Sequence, residues 1–335
     1  MPDTGQSSPI THVFLIVKDG RSFDEIFGDM PSANGDAALC RFPDSITPNH
    51  HELARRFVLC DNLFSNARTR EEGHQWLMGA SITDAVRLRW PAHRGRGVPW
   101  MFTGQSALAS PAIGYIWDYC EWKRVRLRIY GEFTETRRDS LSFAAHGIED
   151  TFSGMVCQSY PSYDVACSDT VRIARWAAEL AVFEQHKVLP GLMVIRLGND
   201  GRASGNAPEA VAAMADNDRA LGLLVDRISH SSFWNQSAIF VVEADADGAL
   251  DHVHPQRVPA LVISPYAVRG MVDSTMYSTM SVMKTIERIV GLPSMSQYDE
   301  SARLMCAPFQ NERNDEAYQA RTPRVPAAGA VRTTK

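Results

Sequence analysis

The sequence predicts a three-layer αβα sandwich with a mostly parallel central sheet. Short apolar runs, each followed by a polar turn, have the length and composition of buried strands. Amphipathic segments with helical spacing lie between several of these runs. Because strands that alternate with helices pair in parallel and are covered on both faces, this order indicates an α/β domain. The predicted strands are residues 13–17, 57–60, 127–130, 192–197, 238–243 and 260–263.

Three predicted helices have apolar side chains at helical intervals and residues typical of helix ends. The first covers residues 169–185. The second covers residues 208–230 and opens with Pro208, because proline is favoured in the first turn of a helix. The third covers residues 278–290 and is followed by Gly291, a residue typical of a helix C-terminus.

The length of 335 residues, with 44% hydrophobic and 22% charged residues, is ordinary for a soluble globular protein and suits one large domain. We expect this domain to cover residues 10–310. Within it, the irregular, aromatic-rich segment at about residues 87–167 is expected to be an insertion that walls the pocket. Residues 1–9 are predicted to be a flexible N-terminus and residues 311–335 a disordered tail.

Net charge and hydropathy limit the classes of partner that the sequence indicates. A net charge of −5 gives no reason to expect nucleic acid or an anionic membrane, and no apolar run reaches the ~18 residues of a membrane span. The polar N-terminus lacks the regions of a secretory signal, so we expect a cytoplasmic protein with free thiols at its six cysteines. A small, anionic or polar substrate is the expected partner, and the oligomeric state is left open.

The turn after the first strand carries the most specific motif. Arg21-Ser-Phe-Asp24 resembles the end of the signature Glu-Asn-Arg-Ser/Thr-Phe/Tyr-Asp, found in bacterial phosphoesterases related to phospholipase C and acid phosphatase. These enzymes belong to the alkaline phosphatase superfamily, so the resemblance implies an alkaline phosphatase-like fold. Further segments resemble the family in the expected order. They include Thr47-Pro-Asn-His-His51, Gly73-His-Gln-Trp76, Met214-Ala-Asp-Asn-Asp218 and Asp251-His-Val253.

The residues that this resemblance implies for catalysis and metal binding are substituted. The chain has Asp19-Gly20 for Glu-Asn, Arg70 for the Ser nucleophile, Gly201 for a ligand His, Ala244 for one of two carboxylates and Gln256 for a second His. Changing a residue that only hydrogen-bonds to a metal ligand already weakens metal binding about 10–100-fold. The loss of several ligands themselves therefore leaves no normal site for a divalent metal. We therefore expect no metal and no other cofactor.

Polar residues at predicted strand ends and in the family motifs form the candidate site. The candidate catalytic residues are Asp19, Thr69, Asp245, Asp251 and His252. The candidate substrate-binding residues are Lys18, His50, His51, Arg70, His74 and Asp200. Because α/β proteins build their sites at the carboxyl edge of the sheet, we expect Asp19, Arg70, Asp245 and His252 to converge on one cleft there.

Several of these residues also have a structural interpretation. Asp19 could simply shape the Asp-Gly turn. Arg70 could anchor an anion, or it could be a plug that pairs with Asp19 or Asp245. Thr69 could be a displaced nucleophile, although neighbouring side chains of an extended segment point to opposite sides. His252 has a side chain suited to acid/base work, but it could equally belong to a hydrogen-bonded scaffold.

Three functions are compatible with this pattern. The first is a repurposed enzyme that acts on an anionic or polar small molecule by metal-independent acid/base chemistry, for instance in secondary-metabolite biosynthesis. The second is a non-catalytic pseudoenzyme that binds a ligand or a protein partner. The third is a residual metal-dependent phosphoesterase that uses Thr69.

Overall fold

The computed structural model describes residues 8–93, 108–139, 142–147, 150–164, 166–202, 208–246 and 248–324. Seven strands of this part form one central sheet. They are β1 (His12–Lys18), β2 (Val58–Cys60), β4 (Leu127–Tyr130), β7 (Leu192–Leu197), β8 (Ser237–Glu243), β9 (Ala260–Ile263) and β10 (Met271–Asp273). Four further strands lie outside the sheet: β3 (Leu63–Phe64), β5 (Thr134–Asp139), β6 (Ser142–Gly147) and β11 (Tyr277–Ser278).

The strand order is β10-β2-β9-β8-β1-β7-β4, and only β9 runs antiparallel to its neighbours. The central strands β8, β1 and β7 are almost fully buried, as expected for parallel strands covered on both faces. Lys18, the last residue of β1, pairs with Leu197 on β7 and with Glu243 on β8. The three strands therefore end at the same level and bring the residues that follow them together.

Helices cover the sheet and complete the predicted three-layer sandwich. They are α1 (Phe23–Phe27), α2 (Pro48–Arg56), α3 (Arg70–Gly79), α4 (Asp84–His93), α5 (Ile116–Lys123), α6 (Asp150–Ser153), α7 (Asp169–His186), α8 (Pro208–Ser229), α9 (Thr279–Val290) and α10 (Gln297–Ser301). Helix α8 packs against α7 and α2, while α9 packs against α3 and α10. Among the helices described, none has the length and apolar character needed to span a bilayer.

The six predicted strands and three predicted helices are confirmed, with ends within one residue of those expected. Edge strand β10 was missed because it is only three residues long. The segment expected to be an insertion contributes β4 to the edge of the central sheet, whereas β5 and β6 form a separate hairpin. All six cysteines are free thiols.

The tail prediction is wrong for residues 311–324, which pack against the domain. The Tyr318 side chain is fully buried, and its hydroxyl donates to Asn49 Oδ1 at 2.8 Å. The backbone amide of Arg321 donates to the same oxygen at 2.7 Å. One large aromatic ring and a few backbone hydrogen bonds are enough to hold this segment, although its composition is mostly polar. Residues 1–7 and 325–335 lie outside the described part.

Candidate functional site

A buried cluster of ion pairs lies at the ends of the three central strands. The Lys18 ammonium lies 2.7 Å from Glu243 Oε1 and 2.9 Å from Asp200 Oδ2, and all three side chains are at most 1% exposed. Burial alone would lower the pKa of Lys18, but the two carboxylates outweigh it and raise that pKa. The Lys18 cluster, comprising Lys18, Asp200 and Glu243, therefore keeps its ammonium charged. Because the Lys18 side chain is buried, its ammonium pairs with these two carboxylates and is not exposed to a substrate in solvent.

A second buried network, the His74 chain, lies next to the first. His74 Nε2 is 2.7 Å from Asp19 Oδ1, and His74 Nδ1 is 2.6 Å from Glu132 Oε1. The Arg196 guanidinium binds the other oxygen of Asp19 at 2.9 Å. The two networks touch, because the Asp19 amide donates to Asp200 Oδ1 at 3.2 Å. Two carboxylates thus alternate with two cations in the fully buried chain Glu132–His74–Asp19–Arg196.

This alternation fixes the charge states of the chain. Burial and Arg196 lower the pKa of His74, but Glu132 and Asp19 outweigh them and raise it to about 9. Burial would raise the pKa of Asp19, yet Arg196, His74 and Arg70 hold it far below its usual range. Asp19 is therefore an anion and His74 a cation at neutral pH. A general acid or base works best when its pKa lies near the operating pH, so neither group is tuned for proton transfer.

Arg70 lies over this chain at the start of α3. Its Nη2 donates to the Gly201 carbonyl at 3.3 Å, and its Nη1 donates to the Tyr163 hydroxyl at 3.2 Å. The guanidinium carbon of Arg70 is 5.5 Å from the centre of the Tyr163 ring, and that of Arg196 is 4.9 Å from the same centre. Arg70 and Tyr163 are both partly exposed. The structure therefore presents a guanidinium and a phenol at the surface of an otherwise buried cluster.

Thr69 is the residue that caps α3. Its backbone is extended, and its hydroxyl accepts a hydrogen bond from the Glu72 amide at 3.4 Å. Threonine is favoured at this position because its oxygen satisfies an amide that has no partner within the helix. The capping bond gives Thr69 a structural role that the sequence interpretation did not include.

Close packing surrounds Gly201. A Cβ there would lie 2.3 Å from the Asp19 carbonyl oxygen and 2.6 Å from Arg70 Nη2. The imidazole that the resemblance implies at position 201 therefore has no room in this structure. The Ala244 carbonyl is close to α3, since a Cβ at Gly73 would lie 2.2 Å from it. Asp245, the next residue, is fully buried just beyond β8.

The two adjacent histidines of α2 have different surroundings. His51 Nε2 is 2.8 Å from Asp29 Oδ1, and its Nδ1 is 2.8 Å from the Thr47 carbonyl, so it ties α2 to neighbouring loops. His50 Nδ1 is 2.6 Å from Asp218 Oδ1 on α8. Burial, followed by the nearby Lys18 charge, lowers the pKa of His50 to about 4, so its imidazole is neutral. His51 is therefore a scaffold residue, whereas His50 adjoins the Lys18 cluster.

Asp19 and Arg70 lie together at the strand ends, while the described side-chain contacts of His252 are with another set of residues. His252 Nδ1 is 2.6 Å from Asp24 Oδ2, and its Nε2 is 3.2 Å from Asn34 Oδ1. The buried Arg257 guanidinium pairs with both Asp24 and Asp251 at 2.9 Å. We call Asp24, Asp251, His252 and Arg257 the His252 cluster. Asp24 belongs to α1, and the other three residues belong to the loop after β8. The sequence pattern alone did not distinguish this group from the strand-end site.

Several residues of the site were missed from the sequence. They are Glu132, Tyr163, Arg196 and Glu243. Arg196 carried a signal, because a lone arginine inside the buried strand Leu192–Leu197 needs a charged partner. Glu132 lies two residues after the end of β4, in the segment that was expected to be an insertion. Tyr163 lies in an irregular segment, and nothing in the pattern points to it.

The residues present do not fit the divalent metal that the family resemblance implies. Asp19 and Asp200 are already held by side-chain cations, Gly201 and Ala244 offer no side-chain donor atoms, and a larger residue at position 201 has no room. Asp24, Asp251 and His252 bring ligand atoms within 4.8 Å of one another. The Arg257 guanidinium already pairs with both of those carboxylates, so a metal ion would have to compete with it for them.

Comparisons with known proteins agree with the family that the sequence motifs resemble and with the observed fold. The chain belongs to the Phosphoesterase family, whose pattern it matches over residues 35–293. The resemblance seen in the sequence is thereby confirmed at the level of family and fold. No curated protein has a sequence that matches this one.

Solved structures of the superfamily share the architecture at low identity. A protein in the alkaline phosphatase superfamily from Vibrio parahaemolyticus is 12% identical with a TM-score of 0.56, covering 90% of this chain and 72% of its own. The sulfatase PsFucS1 from Pseudoalteromonas sp. is 12% identical with a TM-score of 0.57, covering 92% and 74%. The lipoteichoic acid synthase LtaP from Listeria monocytogenes is 10% identical with a TM-score of 0.52, covering 88% and 76%. At these identities the likeness shows the fold alone.

Proposed function

We propose that this chain is a pseudoenzyme of the Phosphoesterase family, which uses the hydrolase scaffold to bind a small anionic or polar molecule without metal-dependent hydrolysis. The observation that carries the proposal is the His74 chain. Its two carboxylates alternate with His74 and Arg196 in a fully buried position, so side chains already supply the positive charge. Breaking such a network by removing one partner is costly, which makes it a poor acid/base device.

Arg70 supplies the anion-binding part of the proposal. It stands where the resemblance implies a serine nucleophile, and its guanidinium is partly exposed beside the Tyr163 hydroxyl. Arginine presents a planar fork of donors that matches phosphate and carboxylate groups. The alternative interpretation of Arg70 as a plug is supported by its attraction to Asp19, and the titrations below distinguish the two interpretations.

The test compares wild-type protein with Arg70→Ala, Arg70→Lys and the control Arg313→Ala. Inorganic phosphate and phenyl phosphate serve as probes in calorimetric titration, and turnover of an aryl phosphate is followed with Mn²⁺ or with EDTA. We expect no turnover that depends on metal, and a loss of about 1.5–3 kcal/mol of anion binding in Arg70→Ala. Arg70→Lys should recover part of the loss, and Arg313→Ala, which changes an exposed arginine, should bind as wild type.

Metal-dependent turnover that disappears on chelation would contradict the pseudoenzyme and restore the residual phosphoesterase that uses Thr69. Equal anion binding by all four proteins would remove Arg70 from the binding site. The cytoplasmic location and the setting in biosynthesis stay predictions.

A second candidate is metal-independent acid/base catalysis, and it is favoured by the His252 cluster. The His252 side chain is 31% exposed, and its Nδ1 is held at 2.6 Å by the buried Asp24 carboxylate. A histidine oriented by a carboxylate is a common arrangement for proton transfer. If this candidate holds, His252→Ala should abolish turnover of the native substrate without unfolding the protein, whereas Asp19→Asn should unfold it.

A further inference from the structure

Tyr163 reaches Arg70 from a stretch of chain that is neither helix nor strand. Its ring packs against the strand ends, since a Cβ at Gly198 would lie 3.2 Å from Tyr163 Cδ2. Its hydroxyl accepts a hydrogen bond from Arg70 Nη1 at 3.2 Å, and a hydroxyl that accepts one bond still has its own hydrogen to donate. Because irregular backbone does not by itself fix a side chain, the position of Tyr163 depends on the contacts of its neighbours.

Arg172 of α7 supplies these contacts. Its side chain is 2% exposed, and all five of its N–H groups donate hydrogen bonds. One goes to Asp169 Oδ1 at 2.7 Å. The other four go to backbone carbonyls on both sides of Tyr163, at 2.8–3.2 Å, namely those of Pro161, Ser162, Asp164 and Cys167. Arginine suits this task because its planar guanidinium carries five donors in a fixed fork, whereas a lysine ammonium carries three.

The carboxylate partner of Arg172 joins this arrangement to the strand-end site. Asp169 is fully buried, and its Oδ2 accepts hydrogen bonds from the Asn199 amide at 3.1 Å and from Asn217 Nδ2 at 2.9 Å. Asn199 directly precedes Asp200 of the Lys18 cluster in the loop after β7. Buried hydrogen bonds therefore connect the backbone around Tyr163 to the same strand end that carries the candidate site.

We propose that Arg172 is a positioning residue of the anion site, which holds Tyr163 beside Arg70 so that the phenol donates a second hydrogen bond to an anion bound by the guanidinium. The inference rests on the proposed function, because it assigns a role at the same site. A donor that is held in place before binding saves the conformational entropy that a mobile segment would lose. Tyr163 therefore strengthens anion binding only while Arg172 keeps its backbone in position.

The test is a double-mutant cycle on the binding of inorganic phosphate, measured by calorimetric titration. Tyr163→Phe removes the hydroxyl, and Arg172→Lys keeps a charge beside Asp169 but cannot serve all four carbonyls. We expect each single variant to bind phosphate about threefold to tenfold more weakly, as for the loss of one hydrogen bond. The double variant should bind no more weakly than Tyr163→Phe, because Arg172 acts through Tyr163. Arg175→Lys, which changes an exposed arginine of the same helix, is the matched control and should bind as wild type.

Melting curves of the same variants separate positioning from stability. A purely structural Arg172 would give an Arg172→Lys protein with a lower melting temperature and wild-type phosphate affinity, and that result overturns the inference. Losses that add up in the double variant overturn it as well. Arg70→Ala distinguishes the two proposals: if it binds phosphate as wild type does, the proposed function fails. If Arg70→Ala weakens binding and Arg172→Lys does not, only the inference about Arg172 fails.

Hydrogen–deuterium exchange of the wild-type protein gives a readout that remains if Arg172→Lys does not fold. The amides of Tyr160 and Cys167, on either side of Tyr163, donate to the Cys157 and Asp164 carbonyls at 3.1 and 2.9 Å. We expect saturating phosphate to leave their exchange unchanged, because Arg172 already orders this backbone. Exchange that is fast in the free protein and slows only with phosphate would show that the anion orders it, and would overturn the inference.

Discussion

At the scale of the residue, positive side chains occupy the strand ends where the family resemblance implies metal ions. Lys18 lies between Asp200 and Glu243, and His74 lies between Asp19 and Glu132. Buried carboxylates need a cation, because an unpaired charge in the interior is very costly. In the described structure, these ion pairs supply the positive charge that the buried carboxylates need.

The pH dependence of stability should report the His74 chain. The folded pKa of His74 is about 9, above the value of about 6.5 for an unfolded histidine. Its contribution is therefore fully present below pH 6.5 and is lost as the pH rises to 9. We expect the free energy of unfolding to fall across this range in wild type, by up to about 1.4 kcal/mol per pH unit from this one proton. In His74→Gln the fall should be correspondingly smaller.

Urea denaturation of both proteins at pH 6.5, 7.5 and 9 measures the effect. His74→Gln should also be less stable by about 3–5 kcal/mol at pH 6.5, since it leaves two buried carboxylates short of a cation. His230→Gln is the control, because His230 is about half exposed beside Asp226 and should change little. Parallel pH profiles for wild type and His74→Gln would show that His74 is not charged in the folded protein.

At the scale of the element, helix starts place the residues of the site. Helix α3 begins at Arg70 because Thr69 satisfies the Glu72 amide, and this beginning fixes where the guanidinium emerges. Acidic Glu71 and Glu72 in the first turn add to the stability of this helix end. The capping residue Thr69 and the proposed anion-binding residue Arg70 are thus adjacent in the sequence.

Replacing the cap should therefore affect stability rather than chemistry. We expect Thr69→Ala to lower the free energy of unfolding by about 1 kcal/mol, the usual cost of losing a threonine cap. Thr69→Ser keeps the acceptor oxygen and should restore most of the loss, while Thr322→Ala changes an exposed threonine and should have no effect. Chemical denaturation gives these values. A Thr69→Ala protein with wild-type stability but without activity would instead identify Thr69 as a nucleophile.

At the scale of the whole molecule, the C-terminal segment closes the domain against α2 and α8. Tyr318 is buried beside Asn49, and the Ala320 amide donates to Asp226 Oδ2 at 2.8 Å. The two contacts join chain positions 269 and 94 residues apart. The segment therefore belongs to the folded domain, and its removal should lower the free energy of unfolding of the whole domain.

Tyr318→Ala should destabilise the protein by about 3–5 kcal/mol, as expected for emptying a buried aromatic site. Tyr318→Phe keeps the ring and loses only the hydrogen bond to Asn49, so it should cost about 1 kcal/mol. Thermal and urea unfolding of the two variants measure the difference. Equal stability of Tyr318→Ala and wild type would mean that the segment does not pack as described.

The sequence by itself determined the fold class, the family and the ends of nine elements. The reason is that strand burial, helix spacing and end residues such as Gly291 are local properties, which neighbours along the chain reveal. The resemblance also led to the prediction, which stays untested, that Arg70, Gly201 and Ala244 replace residues expected for catalysis and metal binding.

Only the tertiary structure decided which charges meet. The sequence placed His252 with Asp19 because both follow strands, yet Asp24 and Arg257 hold it in a separate cluster. The partners of His74, namely Asp19 and Glu132, lie 55 and 58 residues away along the chain. Such pairings depend on the order of the strands in the sheet and on the direction in which each loop side chain points. The local sequence pattern contains neither kind of information. For that reason the charge states and contacts of the candidate residues could be described only in the folded protein.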